Sequence, residues 1–343
     1  MPGFPANAAE TNCVPPVQDF VRTIAGRNPE IAVHVISFQY PFTAGTYSWN
    51  RVTVHALAGN NRRFPRRLWT WIRAVVRFFA LRRSHHVIAI HSMWLTECAQ
   101  VGAWLSRIGG VRHIASIQGQ DALSQNRYLK TLPLQQMTIT AGSAKAADAF
   151  GKNTGRKVDY VIPTGLDLDI IPPRARAAEC SIDILGVGSL TVVKDYATFL
   201  QIVSILRIDF PEIRCCIIGD GPLRPQLERY IHEHHLEHTV RLAGRQSREY
   251  VLDTMRHSRI LLHTARYEGQ GYVFLEALAS GMEVVSSDVG YPEGCDGMYR
   301  CDSVEMMVQT LRKLLSSTVK PQRTDVLSIE ETAASFEKLY RNV

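Results

Sequence analysis

A chain of 343 residues, 45% hydrophobic and 21% charged, has room for two ordinary domains and excludes a disordered polypeptide. No run of about eighteen uncharged apolar residues occurs, which excludes an ordinary membrane-spanning helix. The net charge of +7 suits an anionic partner: nucleic acid, anionic lipid or a phosphorylated substrate. The seven cysteines are scattered, form no CxxC pair and sit beside no histidine cluster. They read as reduced thiols of the cytosol and argue against a zinc site.

In chain order, Met1-Pro-Gly-Phe-Pro5 is loop-like and lacks the basic-then-apolar order of a signal peptide. A helix over Val17–Ala25 follows directly. A doubly wound domain begins on a buried strand feeding such a loop. The first strand is therefore expected to be missing, through a misassigned start codon. Strands are expected at Ile31–Ser37, Val52–Ala56, His86–Ile90, His113–Ile117 and Thr138–Ala141, with helices at Pro65–Leu81 and Leu95–Ile108. Val161–Gly165 reads as the end of this half. Pro172-Pro173 and the Arg/Ala run to Ala178 read as a linker.

Eight arginines fall between Arg62 and Arg83, interleaved with Leu68, Trp69, Trp71, Ile72, Val75, Val76, Phe78 and Phe79. At helical spacing Arg66, Arg73 and Arg77 share a narrow face, and the bulky apolar residues fill a wide arc opposite. Such a segment packs as a domain helix with a solvated basic edge. It also suits an anionic membrane surface. Nucleic acid is not expected, since no nucleic-acid motif accompanies the patch.

The second half alternates cleanly. Strands are expected at Ile182–Val187, Cys215–Ile218, Val240–Leu242, Ile260–His263 and Val284–Ser286. Helices are expected at Tyr196–Ile208, Leu223–His235, Arg248–His257 and Phe274–Ala279, with a final amphipathic helix at Ile329–Tyr340. Strands separated by helices imply βαβ units in a doubly wound parallel sheet. Ligands sit outside the carboxyl ends of such strands, a rim that would carry Ser189, Asp220, Gly244, Glu268 and Asp288.

The densest motif is Glu268-Gly-Gln-Gly-Tyr-Val-Phe-Leu-Glu276. Gly269 and Gly271 let the backbone turn and a ligand approach closely. A helix opening at Tyr272 offers unpaired N–H groups to a phosphate. Spacing alone leaves open an ordinary surface loop with a helix-dipole glutamate.

With these motifs placed, the chain resembles glycosyltransferase family 4, enzymes of GT-B fold. The resemblance rests on Val187-Gly-Ser-Leu190 with Lys194-Asp-Tyr196, Ile217-Ile-Gly-Asp-Gly-Pro-Leu223, Val240-Arg-Leu-Ala-Gly244, Tyr267-Glu-Gly-Gln-Gly271 with Leu275-Glu-Ala277, Val284-Val-Ser-Ser-Asp-Val-Gly290 and Ile162-Pro-Thr-Gly-Leu-Asp167. The spacing of Glu268 and Glu276 matches the family's E-x7-E. The resemblance implies an α/β chain with two Rossmann-like domains facing across a cleft. Residues 1–166 would form the acceptor side and 167–327 the nucleotide-sugar side, with 328–343 a helix packing back on the first domain.

By position, Lys194 would pair with the donor diphosphate and Glu268 would contact the transferred sugar. Glu276 would take the ribose hydroxyls. Gly269, Gln270, Gly271 and Tyr272 would present backbone N–H groups, and Ser189, Gly244 and Arg245 would flank the nucleotide. The resemblance implies retention of anomeric configuration by front-face substitution, with no cofactor and no metal. The donor would be a UDP- or GDP-sugar, the acceptor a glycan or lipid-linked molecule, and the place the cytoplasm or the inner face of the plasma membrane.

Two positions depart from the family. Ser189 stands where many members have an arginine, leaving Arg266 to compensate. In Ile117-Gln-Gly-Gln-Asp121, Gln118 stands where many have a histidine, so that position exchanges no proton. Asp121 keeps its place and is the first-domain candidate, with an Asx-turn or helix cap as the alternative reading. His91 is a second candidate. These departures leave open a non-catalytic GT-B protein that binds nucleotide sugar or a partner enzyme. A sugar-nucleotide epimerase of the same fold fits Lys194 and the glutamate spacing less well.

Overall fold

The computed structural model describes residues 1–175, 179–290, 295–317 and 323–341. The chain divides into two compact units. Unit 1 comprises Met1–Gly165 with Leu327–Val343, and unit 2 comprises Leu166–Val326.

In unit 1, helix α1 (Pro15–Arg27) precedes strand β1 (His34–Ser37). Among the described residues no named strand comes before α1; Gly3 makes an isolated parallel bridge to Tyr40. Strands β2 (Gly45–Trp49) and β3 (Val52–Ala56) form a hairpin, and β1 pairs in parallel with β3. Strand β2 is absent from the sequence-based expectation because its face is mostly exposed and its run is polar. Its turn residues Asn50 and Arg51 both take positive φ, the geometry that matches strand twist in a tight hairpin.

Helix α2 (Arg67–Ser84), strand β4 (Ala89–Met93), helix α3 (Glu97–Gly109), strand β5 (Arg112–Ile117), strand β6 (Thr138–Ala141), helix α4 (Ala144–Thr154) and the short β7 (Tyr160–Val161) follow. Strands β4 to β7 make a parallel four-stranded sheet. Strand β4 lies three residues beyond its expected start, because His85 and His86 are exposed. Helix α4 was not expected. It is alanine-rich, buries only Ala146 and Phe150, and is set by its Ser143 cap rather than by an apolar stripe.

The wide apolar arc expected on α2 is only partly buried. The helix buries Thr70, Ala74 and Phe78, whereas Trp69 is 67% exposed, Val76 64% and Ile72 50%. The closing helix, Ile329–Arg341, packs on α1 through Phe336 and Phe20, with Arg27 bonded to Glu330 and Glu337.

Unit 2 is a six-stranded, all-parallel sheet. Its strands are β8 (Ile182–Val187), β9 (Cys215–Ile218), β10 (Val240–Gly244), β11 (Ser258–His263), β12 (Glu283–Ser287) and β13 (Met298–Cys301), in the order β10-β9-β8-β11-β12-β13. Alternate strand residues face opposite ways, so each face buries its own core. Ile184, Ile217 and Leu262 pack under α5 (Tyr196–Asp209), α6 (Arg224–Glu233) and α9 (Val304–Ser316). Leu185, Ile218 and Leu261 pack under α7 (Arg248–Arg256) and α8 (Tyr272–Ala279). Strand β13 and α9 were not foreseen. The Ser303 cap, accepting from Met306 N, is the signal that marks α9.

The expected linker is corrected. The boundary falls at Gly165, and Pro172–Ala175 runs within unit 2, where Arg174 donates to the Ser258 carbonyl at 2.7 Å. The remainder of that run, 176–178, lies outside the described residues.

Candidate active site

The strand order of unit 2 reverses between β8 and β11, and the carboxyl ends at such a switch point bound a ligand crevice. Two loops leave these ends, and they are stitched together. Thr264 Oγ1 donates to the carbonyls of Lys194 (3.2 Å) and Asp195 (2.9 Å), and Arg266 N donates to the Val193 carbonyl at 2.8 Å.

Lys194, at the end of the first loop, thereby meets Glu268 on the second. Lys194 Nζ donates to Glu268 Oε1, and the His263 ring N–H donates to the same oxygen at 2.9 Å. His263 ends β11 and packs edge-on to Phe274, centroids 4.9 Å apart. Burial pushes the Glu268 carboxyl up, but the His263 hydrogen bond and the Lys194 charge outweigh it and hold the group at about 2. Burial likewise lowers His263, aided by Lys194 and opposed by the bond to Glu268. Glu268 is therefore a weak base and a fixed negative charge.

The glycine loop leads into α8. Gly271 is the residue before the helix and takes φ 82°, and a Cβ there would lie 2.4 Å from Phe274 Cε2. Only glycine meets both demands. Gly269 and Gly271 are buried, and Gln270 and Tyr272 half-buried. Helix α8 then buries Glu276, which meets the Arg248 guanidinium at 3.1 Å; Arg248 also lies over the Tyr272 ring, 5.7 Å from its centroid. Glu276 is thus part of an ion pair at the start of α7, a context that its spacing from Glu268 did not reveal.

Ser189 is exposed on the β8 loop, and Leu190 N beside it donates to the Asp220 carbonyl at 3.0 Å. Gly244, with φ 71°, accepts from Gly219 N at 2.9 Å, and Arg245 beside it is exposed. Arg266 pairs with Asp195 at 2.9 Å. Unit 2 therefore gathers the predicted Lys194, Glu268, Glu276 and 269–272 around β11, α7 and α8, with Ser189 and Gly244–Arg245 at neighbouring strand ends.

The first-domain candidates lie in unit 1, and both are committed to its framework. Asp121 is buried, and its carboxylate accepts from the backbone N–H groups of Leu95 (2.8 Å), Gly119 (2.7 Å) and Gln118 (3.1 Å). It braces two loops. Asp121→Ala would orphan these donors and lower stability by about 3 kcal/mol in denaturant titration, with Asn recovering part. Lost transfer at unchanged stability would return Asp121 to the reacting centre. His91 is held between Ser116 Oγ and Tyr340 Oη, each at 2.6 Å, and burial lowers its pKa to about 3.

Sequence reasoning missed His263 and Arg248. His263 had one available signal, a strand-end position five residues before Glu268. Arg248 had another, the first turn of a helix capped by Ser247. Among the described residues no group of three His, Cys, Asp or Glu side chains is placed to hold a metal.

Residues 169–324 match the model of the family Glycosyl transferases group 1. The chain carries a group 1 glycosyltransferase domain. One component of the human phosphatidylinositol N-acetylglucosaminyltransferase is 30% identical over 199 residues, covering 53% of this chain and 41% of that protein. The curated relatives that the chain matches are thus spanned over less than two thirds of their own length, in others 28% to 38%.

Sucrose-phosphate synthase from Thermosynechococcus elongatus superposes with TM-score 0.75 at 17% identity, covering 95% of this chain and 92% of that one. Anabaena Alr3699/HepE in complex with UDP-glucose superposes with TM-score 0.69 at 16% identity, covering 98% and 92%. The fold is GT-B, with two Rossmann-like α/β units. The glycosyltransferase domain coincides with unit 2, and the Lys194–Glu268–His263 cluster lies at its switch point.

Proposed function

We propose that the chain is a retaining, metal-independent glycosyltransferase. It moves a sugar from a UDP- or GDP-linked donor to a glycan or lipid-linked acceptor, in cell-surface polysaccharide or glycolipid synthesis. The carrying observation is Lys194 bonded to a Glu268 that stays ionised, at the switch point of a group 1 glycosyltransferase domain.

Lys194 supplies a positive charge where the diphosphate leaves, and the N-terminus of α8 adds oriented N–H groups. A carboxylate held near 2 is too weak a base to deprotonate an acceptor hydroxyl. Glu268 instead accepts hydrogen bonds from the sugar and offsets positive charge developing at the anomeric carbon. The departing diphosphate then takes the acceptor's proton on the same face, which preserves configuration. Glu276, oriented by Arg248, accepts from the ribose hydroxyls. In support, similar folds have been solved with UDP-glucose, and a human relative is named for phosphatidylinositol glycosylation.

A panel of UDP-, GDP- and ADP-sugars tests this reading by thermal shift and product formation. Donor stabilisation and transfer lost in Glu268→Gln support it. Stabilisation with no turnover on any acceptor favours the non-catalytic alternative.

The proposal includes peripheral attachment to the inner face of the plasma membrane through 62–83. Exposed Leu68, Trp69, Ile72 and Val76 share α2 with exposed Arg73 and Arg77, and exposed Arg66 directly precedes it, an arrangement suited to an anionic interface. Among the described residues no helix is long and apolar enough to cross a membrane. Replacing the three arginines by glutamine should weaken binding to anionic liposomes about a hundredfold, at about 1 kcal/mol per charge. Unchanged sedimentation with liposomes would remove the membrane from the proposal.

A further inference from the structure

Two donors converge on one oxygen of Glu268. Lys194 Nζ and the His263 ring, the latter at 2.9 Å, both bond Oε1. An ionised carboxylate only accepts, so His263 Nε2 carries the proton. Among the described residues Oε2 takes no hydrogen bond, and it is not sealed from solvent. The carboxylate is thus gripped through one oxygen and presents the other.

The two grips differ in mobility. Lys194 lies on a loop, its side chain is 21% exposed, and its charge rides on a flexible four-carbon stem. His263 is 3% exposed and ends β11, a strand that pairs with β8 on one side and, at His263 itself, with Ser286 of β12 on the other. Its ring is wedged edge-on against Phe274, which leaves little freedom about its two side-chain torsions. The segment from His263 to Glu268 is short and tied. Thr264 Oγ1 donates to the Lys194 and Asp195 carbonyls, and Ser287 Oγ donates to the Ala265 carbonyl. An anion arriving at Lys194 therefore competes with Glu268 for the ammonium, whereas the imidazole stays with its strand.

We propose that His263 is a positioning residue of the transfer reaction. When Lys194 turns to the donor diphosphate, His263 keeps Glu268 Oε1 in place, and Oε2 stays aimed at the transferred sugar. This rests on the glycosyltransferase reading above and adds to it the group that fixes the carboxylate once the donor is bound. His263 passes no proton, because its N–H remains on Glu268 throughout. Released from both grips, the carboxylate would rotate after the departing ammonium. A misplacement of about 1 Å at a reacting centre costs about a hundredfold in rate.

The test compares His263→Leu, which removes the N–H, with His263→Gln, whose amide N–H takes the place of Nε2–H. With a donor that the parent turns over, leucine should lower kcat about ten- to a hundredfold and leave the donor KM within about twofold, because Lys194 and Glu276 still hold the nucleotide diphosphate. Glutamine should restore most of kcat. Thermal midpoints are taken alongside. If the leucine variant does not fold, His263→Asn replaces it, its amide one methylene too short for Oε1. Undiminished kcat in the leucine variant, an equal loss in the glutamine variant, or a loss confined to KM overturns the inference. A parent that transfers no sugar from any donor of the panel overturns the glycosyltransferase reading instead. NMR titration of the Glu268 carboxyl in saturating inorganic pyrophosphate then decides the grip alone. The carboxyl should titrate below 4.5 in the parent and higher in the leucine variant, and equal titration in the two overturns the inference.

Discussion

Lys194→Ala will lower sugar transfer by about two to three orders of magnitude. The charge it removes is the one held at the switch point by the two stitched loops, where the proposed donor's diphosphate leaves. The loss should fall on kcat more than on KM, because the charge on the leaving group grows toward the transition state. A radiolabelled-donor assay decides it, and a variant with undiminished kcat would sink the role.

The same substitution has an acid signature. In the parent, Glu268 titrates at about 2, below the ordinary 4.5, so its contribution to stability is full above pH 4.5 and is lost as pH falls toward 2. His263 is also lowered, so protonation begins to favour the unfolded chain as pH drops through 6.5. Both effects act in one direction, and thermal midpoints should fall from about pH 6.5 downward. Without Lys194, one of the two groups holding Glu268 down is gone. Its pKa rises and the stability it contributes shrinks. Midpoints of parent and variant should therefore differ less at pH 3 than at pH 7.

Arg248→Ala is expected to cost about 3–5 kcal/mol, because it leaves the Glu276 carboxylate buried without its guanidinium partner. The contact of Arg248 with Tyr272 at the start of α8 goes with it. Denaturant titration measures the loss, and Arg248→Ala with Glu276→Gln should recover part of it, since the carboxylate charge that Arg248 faced is removed with it. Glu276→Gln alone, with the fold kept, should raise KM for the donor and leave kcat nearly intact. Stability unmoved by Arg248→Ala would show that the pair is not what positions Glu276.

Much of unit 2 was legible because its strands are short, mostly apolar runs, with glycine following β8 and β9 directly, and β8, β9 and β11 fall where such runs occur. Elements without that signature escaped. Strand β2 shows most of its side chains to water, and α4 is defined by a serine cap and small residues. In the site, Lys194 and Glu268 were legible as a motif, yet their contact was not, since 74 residues separate them. Asp121 was legible as a conspicuous acid in a strand-end loop. Its commitment to three backbone donors depends on where Leu95 comes to rest.

By itself the sequence determined the α/β class, the two halves, and the loop-to-helix motif from Glu268 to Glu276, because strand and helix periods and glycine positions are local properties. Only the tertiary structure decided what these residues do to one another. Parallel pairing of β8 with β11 brings Lys194 and His263 onto one carboxylate, and packing of α7 on α8 sets Arg248 against Glu276. Charge state is settled by neighbours in space, and a sequence lists only neighbours along the chain.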